Sequence, residues 1–175
     1  GLDQGRISVF TEGIRLAKQR ITDKPVIAGM IGPFSLAGRL MDVSEIMIYC
    51  YDEPDMVHTV LDKVSTFTIA YCNAYKAAGA NGVMIAEPLG GLLSPAMAEE
   101  FSHAYVKRIV EAVQTDEFAV IYHNCGDNVA LMKDGIYGLG AMGYHFGDAV
   151  EITACAERKA CAKYSATAAW HSRDR

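Results

Sequence analysis

The 175-residue chain has the composition of a folded globular domain with a modest negative charge. Hydrophobic residues make up 51% of it and charged residues 21%, which provides enough apolar side chain to bury a core and excludes a disordered chain. The formal net charge of -5 argues against a nucleic-acid-binding surface, because such surfaces concentrate Lys and Arg on one face. We therefore expect a small-molecule or protein partner.

The sequence predicts a cytoplasmic location without a membrane span. The longest apolar stretch near the start, residues 25–38, contains two prolines and three glycines and is too short and too broken to cross a bilayer. No basic region followed by an apolar run and a cleavage site opens the chain. The five cysteines are an odd number, which favours thiols or ligands over a disulfide framework.

Apolar spacing predicts helices that alternate with strands. An amphipathic helix is expected over residues 4–20 with Asp3 as its N-cap, and two further helices are expected to begin at residues 52–54 and at Ser94-Pro95. Short apolar runs predict strands at residues 26–31, 83–86, 118–122 and 141–146. These runs lack the period of two of a half-exposed antiparallel sheet, so we predict repeated β/α units, a parallel sheet and strands buried on both faces.

The loops that follow the predicted strands hold the candidate chemistry, because a barrel of β/α units builds its active site there. His123 and Cys125 are two residues apart, so both side chains can face the barrel mouth. Imidazole and thiolate suit Zn²⁺. Gly126 would let the chain turn away after the second ligand. The pair predicts a metal site, and it is incomplete alone because catalytic zinc usually has three protein ligands.

Further candidates lie in the neighbouring loops. Glu87 is a lone carboxylate at the end of an apolar strand, and it could be a further ligand, a proton-handling group or an N-terminal cap for the turn at Pro88. The Gly32-Pro33 turn and His145 are the predicted substrate-binding residues, with a satisfied loop or core histidine as the alternative for His145.

The remaining histidines and cysteines have simpler explanations. We expect surface positions within helices for His58 and His103, and core positions for Cys50 and Cys72. Cys155 and Cys161 are expected to be exposed thiols in a weakly patterned tail.

Four segments together resemble the uroporphyrinogen decarboxylase superfamily in order and spacing, and within it the corrinoid:coenzyme M methyltransferases. They are PVIAGMIGPFSLAG, YDEPDMVHTVLDKV, AGANGVMIAEPLGGLLSP and VIYHNCGD. The resemblance implies a (β/α)₈ TIM-barrel fold, of which residues 1–148 would form a partial barrel of about four β/α units. Residues 149–175 form an atypical C-terminal tail without a family motif, from which we expect a truncated or frameshifted product.

The resemblance also implies an activity. His123 and Cys125 match the zinc-binding His-x-Cys motif of the methyltransferases, whose third ligand is a distant cysteine. The implied reaction moves a methyl group from a methylated corrinoid, either methylcobalamin or a corrinoid protein, to a thiol such as coenzyme M.

Two alternatives stay open. The first is a uroporphyrinogen decarboxylase, an enzyme type that needs no metal and relies on an arginine-rich N-terminal segment absent from this sequence. In it, an aspartate would stand where this chain has Glu87. The second is an inactive fragment that self-associates, because a half barrel leaves strand edges unpaired. On the same ground we expect a homo-oligomer.

Overall fold

The computed structural model describes residues 1–147, in which four strands form one parallel sheet in the order β1-β2-β3-β4. The strands are β1 (Ile27–Ile31), β2 (Gly82–Ala86), β3 (Ala119–Asn124) and β4 (Gly143–Phe146). Strands that are consecutive in the chain are neighbours in the sheet, with helical segments between them. The predicted α/β class and the partial barrel are therefore confirmed.

Helical segments before and between the strands complete the architecture. They are α1 (Ile7–Arg20), α2 (Pro33–Met41), α3 (Val43–Asp52), α4 (Pro54–Ala77), α5 (Pro95–Ala98), a π-helical turn (Glu99–His103), α6 (Ala104–Val113) and α7 (Lys133–Tyr137), with 3₁₀ turns at Leu89–Leu92 and Asp127–Met132. The sequence reasoning missed α2 and α3. None of the helices in residues 1–147 is long and apolar enough to cross a membrane.

The core lies between one face of the sheet and the helices. Alternate strand residues on this helix-facing side are almost fully buried, namely Ala28, Val83, Ile85, Val120 and Tyr122. The long helix α4 covers them and packs against α2 and α6. Each of the buried valine and isoleucine side chains in this set stabilises the fold by about 1.5–3 kcal/mol before the entropy cost of ordering is subtracted.

The opposite side of the sheet, which we call the inner face, is only partly covered. Its residues run in rows across the strands: Ile27, Gly82 and Ala119, then Gly29, Met84, Ile121 and Gly143, then Ile31, Ala86, His123 and His145. The side chain of Ile27 is 36% exposed. The prediction of strands buried on both faces is wrong for β1, β3 and β4: β1 exposes Ile27 and Gly29 on its inner face, β3 alternates between partly buried and buried residues, and no residue of β4 is buried. A closed barrel fills this face with side chains from all eight strands, and residues 1–147 supply four.

Three element boundaries differ from the predictions. Helix α1 begins at Ile7 with Arg6 as its N-cap, so the predicted cap at Asp3 is wrong, and none of its residues is buried. Strand β3 extends to Asn124 and takes in residues predicted to lie in the following loop. The helix at residues 94–113 starts at Ser94, whose side chain accepts a hydrogen bond from Met97 N, but a π-helical turn interrupts it.

Both histidines predicted at the surface are packed. His103 is 3% exposed and its Nδ1 lies 3.0 Å from Glu99 Oε2. The His58 ring stacks on Phe101 with 4.8 Å between the ring centroids, and its Nδ1 lies 2.8 Å from the Tyr105 hydroxyl. The prediction for His103 is wrong, because helix packing turned its side chain toward neighbouring elements. The side chain of His58 is 33% exposed, so it is partly packed and keeps a surface position.

The cysteine predictions are confirmed where they fall within the described residues. Cys50 and Cys72 are buried, and burial raises the pKa of Cys72 to about 12. A thiol with so high a pKa stays protonated and behaves as a small apolar side chain. Cys155 and Cys161 lie outside the described residues.

Candidate active site at the carboxyl end of the sheet

A pair of histidines lies on the inner face at the carboxyl end of β3 and β4. His123 and His145 are register partners, their ring centroids are 4.8 Å apart, and their Nδ1 atoms are 2.7 Å apart. His123 Nδ1 also lies 3.1 Å from the backbone oxygen of His145. A proton on His123 Nδ1 would satisfy both contacts, with His145 Nδ1 and the His145 oxygen as acceptors, and would leave the lone pair of the neutral ring on Nε2.

The surroundings of His123 favour the neutral ring. Partial burial lowers the pKa of His123, the nearby His145 lowers it further, and the hydrogen bond to the His145 backbone opposes both in part. The imidazole is therefore uncharged at neutral pH, which is the form that binds metals.

Cys125 immediately follows β3 and is exposed. The sequence predicts from the spacing of two residues that the Cys125 side chain faces the same side as His123, and this stays a prediction because β3 ends at Asn124. The end of β4 packs alongside, since a Cβ atom added at Gly147 would lie 3.1 Å from Cys125 Cα. Within residues 1–147 no group of three His, Cys, Asp or Glu side chains could hold a metal ion, so the described residues supply the predicted pair and no third ligand.

Glu87 lies at the same end of the sheet but turns away from this pair. Its backbone N–H donates to the His123 oxygen at 2.8 Å, whereas its carboxylate is fully buried toward the helices. There it accepts hydrogen bonds from Phe34 N at 3.1 Å, Ser35 N at 2.6 Å and Ser35 Oγ. Burial raises the pKa of Glu87 to about 7, and these hydrogen bonds oppose the rise. The carboxylate thus caps α2 and not the turn at Pro88.

Gly32 and Pro33 make room for this buried carboxylate. A Cβ atom added at Gly32 would lie 2.7 Å from Glu87 Cδ, and Pro33 is buried at the first position of α2. Ser35 was missed by the sequence reasoning, although it stands in the first turn of a helix opened by proline. Its hydroxyl also accepts from Leu89 N at 3.1 Å, so it connects the segments that follow β1 and β2.

The structure thus brings together His123 and His145, has Cys125 directly after the end of β3, and places Glu87, Gly32 and Pro33 in a separate buried cluster. A cavity of about 630 Å³ lies at the opposite, amino end of the sheet, lined in part by Lys76, Asn81 and Phe118. Conserved chemistry in barrels of this type is found at the carboxyl end, so this cavity is not part of the candidate site.

Comparison with known proteins identifies relatives of two kinds. The chain is 31% identical over 157 residues to methylcobamide:CoM methyltransferase MtaA of Methanosarcina barkeri, a match that covers 86% of this chain and 45% of that protein. It is 37% identical over 114 residues to uroporphyrinogen decarboxylase of Alkalilimnicola ehrlichii, covering 61% of this chain and 31% of that protein. The chain spans less than half the length of these relatives.

A solved structure shares the fold. The methyltransferase from Methanosarcina mazei superposes with a TM-score of 0.76 and 28% sequence identity, over 82% of this chain and 42% of that protein. The sequence model of uroporphyrinogen decarboxylase (URO-D) matches residues 2–166, which extends beyond the domain boundary predicted at Asp148. With a family match across nearly the whole sequence and a related fold, the chain belongs to the uroporphyrinogen decarboxylase family.

Proposed function

We propose that the protein is a zinc-dependent methyltransferase that moves a methyl group from a methylated corrinoid to a thiol such as coenzyme M. The observation that carries this proposal is the presentation of His123 Nε2 and the exposed Cys125 thiol at one end of the sheet. The relatives named as methylcobamide:CoM methyltransferases support it, as does the structural neighbour named as a methyltransferase.

The donor pair fits zinc. A neutral imidazole nitrogen and a thiolate are ordinary Zn²⁺ ligands, and the lowered pKa of His123 keeps its ring in the binding form. The His145 carbonyl, which accepts from His123 Nδ1, matches the outer hydrogen bond that usually orients a metal-binding histidine. In the proposal His123 and Cys125 hold the metal, and Glu87, buried toward α2, has no metal-binding role.

Zinc at this position would bind the substrate thiol as thiolate at neutral pH, where a free thiol with a pKa of about 8.5 is largely protonated. The residues of the chain would supply the surroundings of that nucleophile. His145 is exposed beside His123 and is the side chain that we propose contacts the substrate.

Two donors hold zinc less tightly than the usual three. We therefore expect His123 and Cys125 alone to bind zinc weakly. In the proposal the third ligand comes from outside residues 1–147. We also propose a reducing, cytoplasmic location, because oxidation of Cys125 would remove a ligand.

The experiment compares zinc retention in Cys125→Ser and Cys72→Ser, measured by equilibrium dialysis followed by metal analysis. Cys72 is the matched control because it is a cysteine buried in α4 and not a proposed ligand. Cys125→Ser should lower zinc affinity by more than roughly tenfold, a loss that even outer partners of a metal site can cause. Equal zinc content in the two variants would contradict the proposal and favour a decarboxylase-like enzyme that needs no metal.

An activity measurement complements the metal analysis. Methyl transfer from methylcobalamin to coenzyme M should require added zinc and should be lost in Cys125→Ser. Decarboxylation of uroporphyrinogen without metal, together with no methyl transfer, would decide for the alternative.

We further propose that the chain forms a homodimer or larger assembly. In the described sheet β1 and β4 are the outer strands and each has an unpaired edge, while the inner face of β1 exposes apolar surface at Ile27. A second copy could satisfy both by pairing strands or by covering the inner face.

A further inference from the structure

The residue between the two proposed ligands has its own set of contacts. Asn124 is the last residue of β3 and is 1% exposed. Strand alternation turns its side chain to the helix-facing side, away from His123. A buried side-chain amide is costly unless its hydrogen bonds are made, so its partners show what the residue does.

Both ends of the Asn124 amide are satisfied by the chain around Cys125. Asn124 Nδ2 donates to the Tyr122 hydroxyl at 3.0 Å, and Asn124 Oδ1 accepts from Gly126 N at 2.9 Å. The second bond is an Asx turn, in which a side chain holds the backbone two residues further on. The residue enclosed by that turn is Cys125, so the turn restricts the backbone that carries the thiol.

A contact between two glycines holds the same turn from the side. A Cβ atom added at Gly126 would lie 2.6 Å from Gly91 Cα, and one added at Gly91 would lie 2.8 Å from Gly126 Cα and would also collide with Asn124 Oδ1. The segments after β2 and β3 therefore touch backbone to backbone, which only glycine allows. This contact limits sideways movement of the turn.

We propose that Asn124 is a positioning residue for Cys125: its Asx turn to Gly126, held against Gly91, sets the direction of the Cys125 thiol relative to His123. The inference rests on the proposed metal role of the His123 and Cys125 pair. It adds that metal affinity depends on a buried amide that does not touch the metal.

Three variants in the full chain separate positioning from general stability. Asn124→Ala removes the Asx turn. Asn124→Ser keeps a hydroxyl oxygen that can accept from Gly126 N, in the weaker turn that serine forms. Tyr122→Phe removes the other partner of the amide and leaves the turn intact, so it serves as the control for losing a buried hydrogen bond.

The first measurement is Co²⁺ titration, followed by the thiolate-to-cobalt charge-transfer absorption that reports the cysteine ligand. Asn124→Ala should weaken Co²⁺ binding by roughly 10–100-fold, the usual effect of removing an outer partner of a metal site, and should reduce the charge-transfer band. Asn124→Ser should recover most of the affinity, and Tyr122→Phe should keep it despite a similar loss of thermal stability. Equal affinities in Asn124→Ala and Tyr122→Phe would overturn the proposal.

The second measurement needs no metal and separates this inference from the proposed function. Amide hydrogen exchange of the apo chain should accelerate at Gly126 in Asn124→Ala and stay unchanged there in Tyr122→Phe. Unchanged exchange in Asn124→Ala would overturn the positioning role even if Cys125 binds metal. If the Gly126 amide exchanges faster in Asn124→Ala but the wild-type chain binds no Co²⁺, the result would support the turn and refute the metal site.

Discussion

The buried carboxylate of Glu87 makes the folding stability depend on pH in an unusual direction. Its side chain is 0% exposed and accepts hydrogen bonds from Phe34 N and from both Ser35 donors. Burial raises the pKa of Glu87 from 4.5 to about 7 against the opposing effect of these bonds. The substitution Glu87→Gln keeps the shape of the side chain and removes its titration.

The sign follows from the order of the two pKa values. Well below pH 4.5 the carboxyl group holds its proton in both the folded and the unfolded chain and has no pH-dependent effect. As the pH rises from there to about 7, the unfolded chain releases the proton first, so the free energy of unfolding falls. At about 1.36 kcal/mol for each pKa unit, the loss amounts to about 3 kcal/mol, and it is complete once the pH exceeds the folded-state pKa.

Urea unfolding at a series of pH values between about 4 and 8, which brackets both pKa values, measures this effect. The free energy of unfolding of the wild type minus that of Glu87→Gln should decrease by about 3 kcal/mol across the range, because the other titrating groups cancel in the difference. Glu111→Gln on the exposed side of α6 is the matched control. A difference that stays constant or increases with pH would refute the reasoning, since the α2 hydrogen bonds would then outweigh burial.

Three further predictions concern packing, thiol access and association. Gly32→Ala should lower the melting temperature by the equivalent of about 1–3 kcal/mol, because the added Cβ would collide with Glu87. Gly13→Ala, whose added Cβ atom would lie in open space on α1, should not lower the melting temperature. Equal melting temperatures of the two variants in calorimetry would contradict the close packing of Gly32 against Glu87. Peptide mapping after native alkylation should find Cys125 labelled and Cys72 protected; similar labelling of both would contradict the burial of α4. Sedimentation equilibrium at micromolar concentration should show a dimer or larger species, and a stable folded monomer would refute self-association.

The sequence alone determined the order of β/α units, the parallel sheet and the position of the His123 and Cys125 pair at a strand end. These features depend on local patterns: the length of apolar runs, the glycine and proline residues that end them, and a spacing of two residues. The family resemblance, carried by four short segments in register, is confirmed by the match over residues 2–166. The zinc site, the substrates and the oligomeric state stay predictions.

Only the tertiary structure decided which way Glu87 points and what it binds. Its partner Ser35 is 52 residues away in the chain, and they meet because β1 and β2 pair in parallel register, with Ile31 beside Ala86. The contact of Gly91 with Gly126 arises in the same way from the pairing of β2 with β3. The contact between the His123 and His145 rings arises from the pairing of β3 with β4. Hydrophobic periodicity specifies which residues are buried along one element, but it carries no information on which buried residues of distant elements meet, since strand register and helix packing set those contacts.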